Sequence, residues 1–401
     1  AILIDTGYLP LMDFIPSVFA TNIDLARSIL ATLAGALLTI TTFTFSTIMV
    51  VLTMYSSNFS PRVVENFLTD KVSIKVLGIF VGGFLYCITT LLFMRDTMQD
   101  LPVISATIGV IYSILCIIYF IKFIYTVSGS IQASKLINKL YLQAYEMIET
   151  GMNYRQKFER VDVFDADQFP ESFDVHSASS GYLELINFEG IMDLIKNIDC
   201  KVVVRPCIGD YMAKNMNLFS VYYKEQSQLM DNFDKKLYNC LSLTSQRMAL
   251  SDYKFSIQKI VEIALRAISP GINDPNTAIH CIKILGVLLS KISESDGKYT
   301  SIQFKDCKGK LVYEDFNFEK DLYDTFYQII HYGKTDLSVV FALFEALKII
   351  MLSCSESSLY SVKNFAKYLF ERCGEYHQND FDKLKLVDYI NEIKSFKYQI
   401  N

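Results

Sequence analysis

Three long apolar runs in this chain contain no Asp, Glu, Lys or Arg, the whole sequence has only 4 histidines, and the compact motifs of catalysis are missing. Each absence excludes something. Without ionisable groups inside the apolar runs, a proton relay or a charge-coupled transporter lacks its machinery. His176, His280, His331 and His377 are scattered and form no H-x-x-x-H or H-E-x-x-H pair, and no C-x-x-C occurs, so a zinc site lacks its usual spacing. Walker A, G-x-G-x-x-G and G-x-S-x-G sequences are missing too. The expectation is a protein that is not an enzyme and carries no metal or cofactor. Net charge is −5 and the basic residues form no stripe interleaved with aromatics, which argues against a nucleic-acid partner. The 9 cysteines are odd in number and irregularly spaced. They do not read as a disulfide framework and favour a reducing compartment.

What is present is apolar: 51% of the residues are hydrophobic. No charge interrupts Ser28 to Pro61, Val76 to Met94, or Val103 to Ile121. About 20 apolar residues cross a bilayer, so each run predicts a span. We expect a transmembrane domain over 1–127, with spans at about 28–56, 73–95 and 103–126, in contact with a lipid bilayer. Basic residues set the orientation. Arg27 and Arg95 stand alone on one side, whereas Arg62, Lys71 and Lys75, then Lys122, Lys135, Lys139, Arg155 and Lys157, fall on the other. This predicts an N-terminal segment outside and a large C-terminal part in the cytoplasm, which calls for a further span upstream of Ala1. The segment before Ile23 is apolar but interrupted by Asp5, Pro10, Asp13 and Pro16. It is expected along the outer interface.

The first span carries Thr32, Gly35, Thr39, Thr42, Ser46, Met49 and Thr53 every three or four residues, a single helical stripe of small and hydroxyl-bearing side chains. In lipid such a stripe marks the face that meets protein or water. It reads either as close helix packing, with hydroxyls bonded back to their own carbonyls, or as a pore lining that offers oxygens to partly dehydrated ions. Gly78 and Gly82 in the second span, and Ser105, Gly109 and Ser113 in the third, recur at four-residue intervals and read as packing faces. A compact bundle and a homo-oligomer are expected.

After the spans, a helical stalk over 128–160 has apolar positions at Leu136, Leu140, Ala144 and Ile148 and is expected to end at Gly151. A small β-rich module follows over 161–224, with strands at "GYLELI" and "CKVVVRP", a short helix at "FEGIMDLIKNI", and turns at Gly209-Asp210 and Lys214-Asn215. The order resembles half of a barrel-sandwich hybrid. Lys214 lies in the wrong turn for a carrier lysine, so no covalent cofactor is implied. The remainder, 225–401, is expected to be mostly helical: Phe255–Ile268, Pro275–Ile292, Phe318–Tyr332, Asp336–Cys354, Leu359–Cys373 and Asp380–Ile393, with a hairpin turning at Lys308-Gly309. The fold class is therefore an α-helical membrane bundle plus a mixed cytoplasmic part, a small β barrel-sandwich-like module followed by an α-helical domain.

The break "RAISPGINDP" separates two of these helices. Pro270 removes a donor and biases Ser269 away from helical angles, and Gly271 is expected at positive φ. Asp274 followed by Pro275 starts the next helix. Arg266, Asn273, Asp274 and His280 are also placed to meet across the corner and hold a small ion or ligand. The motif is thus a hinge or a ligand site.

This break, with "SSNFSPR", "SGYLELI", "GDYMAKNMNLFSV", "RMALSDYKF" and "YGKTDLSVV", is similar to the signature of a bacterial family of predicted membrane proteins of unknown function. The resemblance runs along most of the chain and weakens around residues 225–250. It implies an inner-membrane bundle of about four spans with a cytoplasmic domain, and no established activity. Two functions fit these features: an oligomeric channel with its pore along the first-span stripe and a cytoplasmic regulatory assembly, or a membrane-anchored scaffold or sensor that binds a cytoplasmic partner or small ligand without conducting.

Overall fold

The computed structural model describes residues 2–5, 16–58, 71–94, 102–130, 132–161, 168–225, 231–247 and 252–398. The chain divides into two compact units, Ala1–Lys135 and Leu136–Asn401. Arg62, Arg95 and the continuation of the first span beyond Asn58, all used for the orientation and the stripe, lie outside the described residues, as do residues 6–15 of the segment expected at the interface.

The first unit is built on three helices, α1 (Ile23–Asn58), α2 (Lys71–Phe93) and α3 (Ser105–Ser130). All three are long and apolar enough to cross a membrane, over Ile23–Met54, Ser73–Phe93 and Ser105–Ser128. At 1.5 Å rise per residue, α1 is about 54 Å long, well beyond a hydrocarbon core of about 30 Å. The buried positions show how they pack. In α1 Ile23, Leu30, Leu37, Thr44 and Val51 recur every seven residues, and in α2 Ser73, Val76, Phe80, Gly83, Cys87 and Thr90 follow three-and-four spacing, which Met94 continues just past the helix end. That is the seam of left-handed helix packing. Small residues allow close approach: a Cβ on Gly83 would overlap the Tyr112 ring, and one on Gly109 would lie 2.9 Å from Leu30. One end of the bundle is laced by polar contacts. Asp5 accepts from the Ile104 amide at 2.9 Å and from the Ser105 hydroxyl, and Thr21 and Val103 exchange backbone bonds. Arg27 donates to the Met94 carbonyl at 2.9 Å.

All but the first three residues of α4 (Ala133–Arg155) belong to the second unit, and its buried face includes Leu136, Ile137, Leu140, Ala144, Ile148 and Met152. The helix does not stop at Gly151 as expected. Gly151 serves close packing instead, because a Cβ there would sit 2.9 Å from the Phe316 ring. A six-stranded mixed sheet follows, in the order β1 (Glu159–Val161), β8 (Tyr299–Ile302), β9 (Lys310–Glu314), β4 (Cys200–Val204), β6 (Asn217–Tyr223), β2 (Glu171–His176). Only the β4–β9 pair is parallel. A three-stranded sheet joins β5 (Tyr211–Met212), β3 (Gly181–Ile186) and β7 (Leu241–Thr244). Both sheets and the short helices α5 (Phe188–Ile195) and α6 (Phe233–Tyr238) share one core that includes Ile191, Val202, Phe219, Leu237 and Leu311. The β structure therefore extends past residue 224: β8 and β9 form the hairpin expected around Lys308-Gly309 and join the sheet through β4, whereas β7 is a strand that was not expected.

Six helices complete the unit: α7 (Tyr253–Ala267), α8 (Pro275–Ser293), α9 (Phe318–Gly333), α10 (Leu337–Met351), α11 (Glu356–Gly374) and α12 (Asp380–Ser395). Every one begins after a short polar side chain that accepts from a first-turn amide: Asp252, Asp274, Asn317, Asp336, Ser355 and Asn379. Such caps satisfy donors that a helix start leaves open.

Candidate functional site

The start of α7 gathers several polar groups, among them the buried carboxylates of Asp252 and Asp321. Asp252 caps the helix, accepting from Phe255 N at 3.1 Å, and takes Arg247 Nε at 2.6 Å. Arg247 Nη1 donates to Gln258 at 3.0 Å. The Gly209-Asp210 turn presses on this pair. Gly209 has φ +90°, and a Cβ there would overlap the Asp252 carboxylate, so two independent constraints require glycine. Asp210 closes its own turn by accepting from Cys207 N at 2.8 Å.

One residue further on, the Tyr253 hydroxyl donates to Asp321 of α9 at 2.6 Å, and Lys254 reaches the other carboxylate oxygen at 3.5 Å. Burial disfavours the Lys254 charge, but Asp321, Cys207, Asp210 and Glu314 together outweigh it and hold the ammonium above its ordinary range. Burial raises Asp321 and is opposed by Lys254 and the Tyr253 hydroxyl. Burial also pushes Asp315 up to about 6, against the pull of Arg155 and Lys254. Arg155, at the end of α4, is fully buried. Its Nη2 donates to the carbonyls of Asp296 (3.2 Å) and Gly297, its guanidinium lies 5.8 Å from the Phe316 ring centroid, and its Nε and Nη1 have no hydrogen-bond partner among the described residues.

Two clefts open on either side of Tyr253 and Lys254, which line both. The first, about 530 Å³, is walled by aromatics: Tyr154, Phe188 and Tyr313 form one group, with Phe188 and Tyr313 centroids 4.5 Å apart, and Tyr253 and Phe316 form another at 5.1 Å. Glu314 and Asp315 are the acidic residues beside these rings in its lining. The second, about 500 Å³, is more polar and includes Arg247, Lys320, Asp321 and Asp324. Volumes of this size suit small organic ligands. Among the described residues no group of three or more His, Cys, Asp or Glu is arranged to hold a metal ion. All nine cysteines are buried thiols, and burial pushes Cys207 up to about 12, which makes it a poor nucleophile.

The residues singled out from sequence lie elsewhere. The corner from Arg266 to His280 stands at the other end of α7, about 22 Å away along the helix. Arg266, Pro270, Gly271, Asn273, Asp274 and His280 are exposed. Its joints are local. Ser269 Oγ donates to the Arg266 carbonyl at 2.6 Å, Asp274 N bonds back to Ala267 O at 2.8 Å, and Asp274 accepts from Thr277 N and, at 2.6 Å, Thr277 Oγ1. Pro275 is the first residue of α8. One expectation is corrected: the positive φ belongs to Asn273, at 51°, and not to Gly271, around which a Cβ would meet nothing within 4 Å. Asparagine tolerates that conformation through local hydrogen bonding, so the glycine is not needed for it.

In the first unit, Thr32, Gly35, Thr39, Thr42, Ser46, Met49 and Thr53 are all exposed along α1, opposite the seam filled by Leu30, Leu37 and Thr44. Thr32, Thr39, Thr42 and Thr53 each donate to the carbonyl four residues back, at 2.8 to 3.0 Å. Gly82 faces the Tyr112 hydroxyl and Gly109 is buried against Leu30, while Gly78 is exposed with nothing near it. Ser105 is buried, its carbonyl accepting from the Tyr86 hydroxyl at 2.9 Å, and Ser113 bonds back to Val110 O.

Three of the motifs that carried the resemblance thus meet at the start of α7: Tyr182 from "SGYLELI", Gly209 and Asp210 from "GDYM", and Arg247 and Asp252–Lys254 from "RMALSDYKF". The sequence pattern of the family described as predicted membrane protein (DUF2254) matches residues 2–349. The chain belongs to that family. It is 24% identical over 344 residues to the uncharacterised proteins Rv1290c of Mycobacterium tuberculosis and Mb1321c of Mycobacterium bovis, a stretch covering 83% of this chain and 65% of each relative. The match therefore spans a little under two thirds of the curated relatives' length. No solved structure matches this chain.

The buried cluster itself escaped sequence reasoning. Arg155, Asp315 and Asp321 belong to three separate elements and share no local pattern with Lys254. The usable signal was subtler: charged residues placed directly beside aromatics at element ends, as in "SDYKF" and "YEDF".

Proposed function

We propose that this protein is a homo-oligomeric, channel-like protein of the bacterial plasma membrane, with the first-span stripe along its conducting path and the second unit as a cytoplasmic regulatory assembly. One observation carries the reading. Helix α1 has two seams with three-and-four spacing, and among the described residues only one of them is filled. The other, Thr32 through Thr53, is small, uncharged and exposed. Its spacing is that of a helix–helix seam, and small residues and hydroxyls are what such seams use in lipid. Because the threonine hydrogens are committed to backbone carbonyls, the outward lone pairs act as acceptors, which favours cations over anions. The cytoplasmic placement rests on the basic residues after α3. In this reading no residue is catalytic.

The test is conductance of the purified protein in planar bilayers, under varied voltage and tension. Conductance that falls in Thr42→Leu or Ser46→Leu, with the oligomer intact, supports the pore. Silent bilayers, or variants that lose oligomerisation with no conductance to lose, leave the stripe a packing face and remove the proposal's support.

A second reading is favoured by the aromatic cleft beside Tyr253: a membrane-anchored sensor that binds a small ligand in its second unit and does not conduct.

A further inference from the structure

We propose that the cleft between α4, α5, β9 and the start of α7 binds an organic cation, an alkyl- or arylammonium compound of small-molecule size. The inference rests on the sensor reading above and names its ligand class. Three observations converge. The walls are aromatic on two sides, Phe188 against Tyr313 and Tyr253 against Phe316, and ring faces attract a cation within about 6 Å. In the run Tyr313-Glu314-Asp315-Phe316 two acidic residues fall between two of those rings in sequence, and all four residues line the cleft. Among the described residues that line the cleft, the basic side chain is Lys254, and it is paired. Lys254 is held by Asp321 at 3.5 Å. Arg155 does not line the cleft; its guanidinium lies 5.8 Å from the Phe316 ring centroid and its Nη2 donates to the carbonyls of Asp296 and Gly297. An anion would meet Glu314 and Asp315 with Lys254 already paired, whereas an ammonium would meet rings and carboxylates. The volume of about 530 Å³ excludes a polymer and accommodates a ring bearing a trimethylammonium group.

Asp315 makes the interaction pH-dependent. Burial, opposed by Arg155 and Lys254, pushes it up to about 6, so the carboxylate a cation needs is lost as pH falls through that value. The groups facing it are Arg155 from α4, Tyr253 and Lys254 from α7, Tyr313 from β9 and Asp321 from α9, with Glu189 from α5 across the cleft. A quaternary probe has no proton of its own to confuse the reading.

The experiment is calorimetric titration of the full chain in detergent with phenyltrimethylammonium, with neutral N,N-dimethylbenzamide and with benzoate. At pH 7.5 the cation should bind at least tenfold tighter than either comparator. Asp315→Asn should weaken it about tenfold, Phe188→Leu several-fold, and a shift to pH 5 should weaken the parent protein but not Asp315→Asn. Melting curves confirm that the variants fold, and Glu314→Gln supplies a second carboxylate variant should Asp315→Asn fail to. Equal binding of the three probes, preference for benzoate, no binding of any, or indifference to both carboxylate variants overturns the inference. The sensor reading is decided separately, by whether bilayers conduct.

Discussion

The two ends of α7 are made from similar residues and behave differently. Each combines an aspartate cap, a glycine one or two residues from another acidic or amide side chain, and an arginine nearby. At the Tyr253 end these residues come from distant parts of the chain and are pressed together: Gly209 against Asp252, Arg247 on the same carboxylate, Asp321 from α9 between Tyr253 and Lys254. At the Ala267 end they come from one short segment and satisfy each other locally, with open space around Gly271. The lesson is about what a motif costs to change. A cluster whose partners are remote and buried fails when one member goes, because the others are stranded without water. A corner closed by its own neighbours loses one contact at a time.

Asp321→Ala is the harshest way to probe the contrast. It leaves the Lys254 ammonium and the Tyr253 hydroxyl without the carboxylate both now use. Breaking a buried pair in this way costs about 3–5 kcal/mol. Hydrogen exchange of the α7 amides should accelerate about a hundredfold or more, since 1.4 kcal/mol is a factor of ten. Gly209→Ala belongs to the same class: a side chain at φ +90° is strained and would displace the Asp252 carboxylate from Arg247. Exchange within twofold of the parent in both variants would mean that the cluster contributes nothing to holding α7.

Much of the frame was legible because its signals are local. Charge-free runs announce the three spans, and the last six helices of the second unit, α7 to α12, each start on a short polar cap, so their observed limits fall within three residues of those expected. The sheets were only partly legible. Strands β3, β4 and β6 read as strands, but the parallel pairing of Val202 with Leu311 joins segments far apart in sequence, and no periodicity within either reports a partner. Gly151 misled for a related reason. A glycine in a helical pattern is a stop when solvent surrounds it and a contact point when a ring such as Phe316 approaches. The candidate site is the extreme case, since Arg155, Lys254, Asp315 and Asp321 become neighbours only after α4, α7, β9 and α9 have packed.

At the other end of α7, Asp274→Ala should have a moderate effect. It removes the acceptor for Thr277 N and Thr277 Oγ1, and losing such a cap costs about 1 kcal/mol. Exchange should quicken about fivefold in the first turn of α8 and stay unchanged at Tyr253. If the effect reached the Tyr253 end, the helix would be coupling its two ends, and the contrast between a buried cluster and a local corner would collapse.

Gly271→Val should do least of all, which is what makes it informative. The position has ordinary backbone angles and nothing within 4 Å of a new Cβ, and exposed substitutions of that kind usually stay within about 0.5 kcal/mol. In the isolated chain, melting and exchange should match the parent closely, whereas Asn273→Val, which puts a β-branched residue at φ 51°, should cost about 1–3 kcal/mol. Suppose instead that Gly271→Val melts normally but abolishes assembly or conductance. Then the corner's exposed residues meet a second surface in the working protein, and the end of α7 that looks self-sufficient in one chain is the end that depends on a partner.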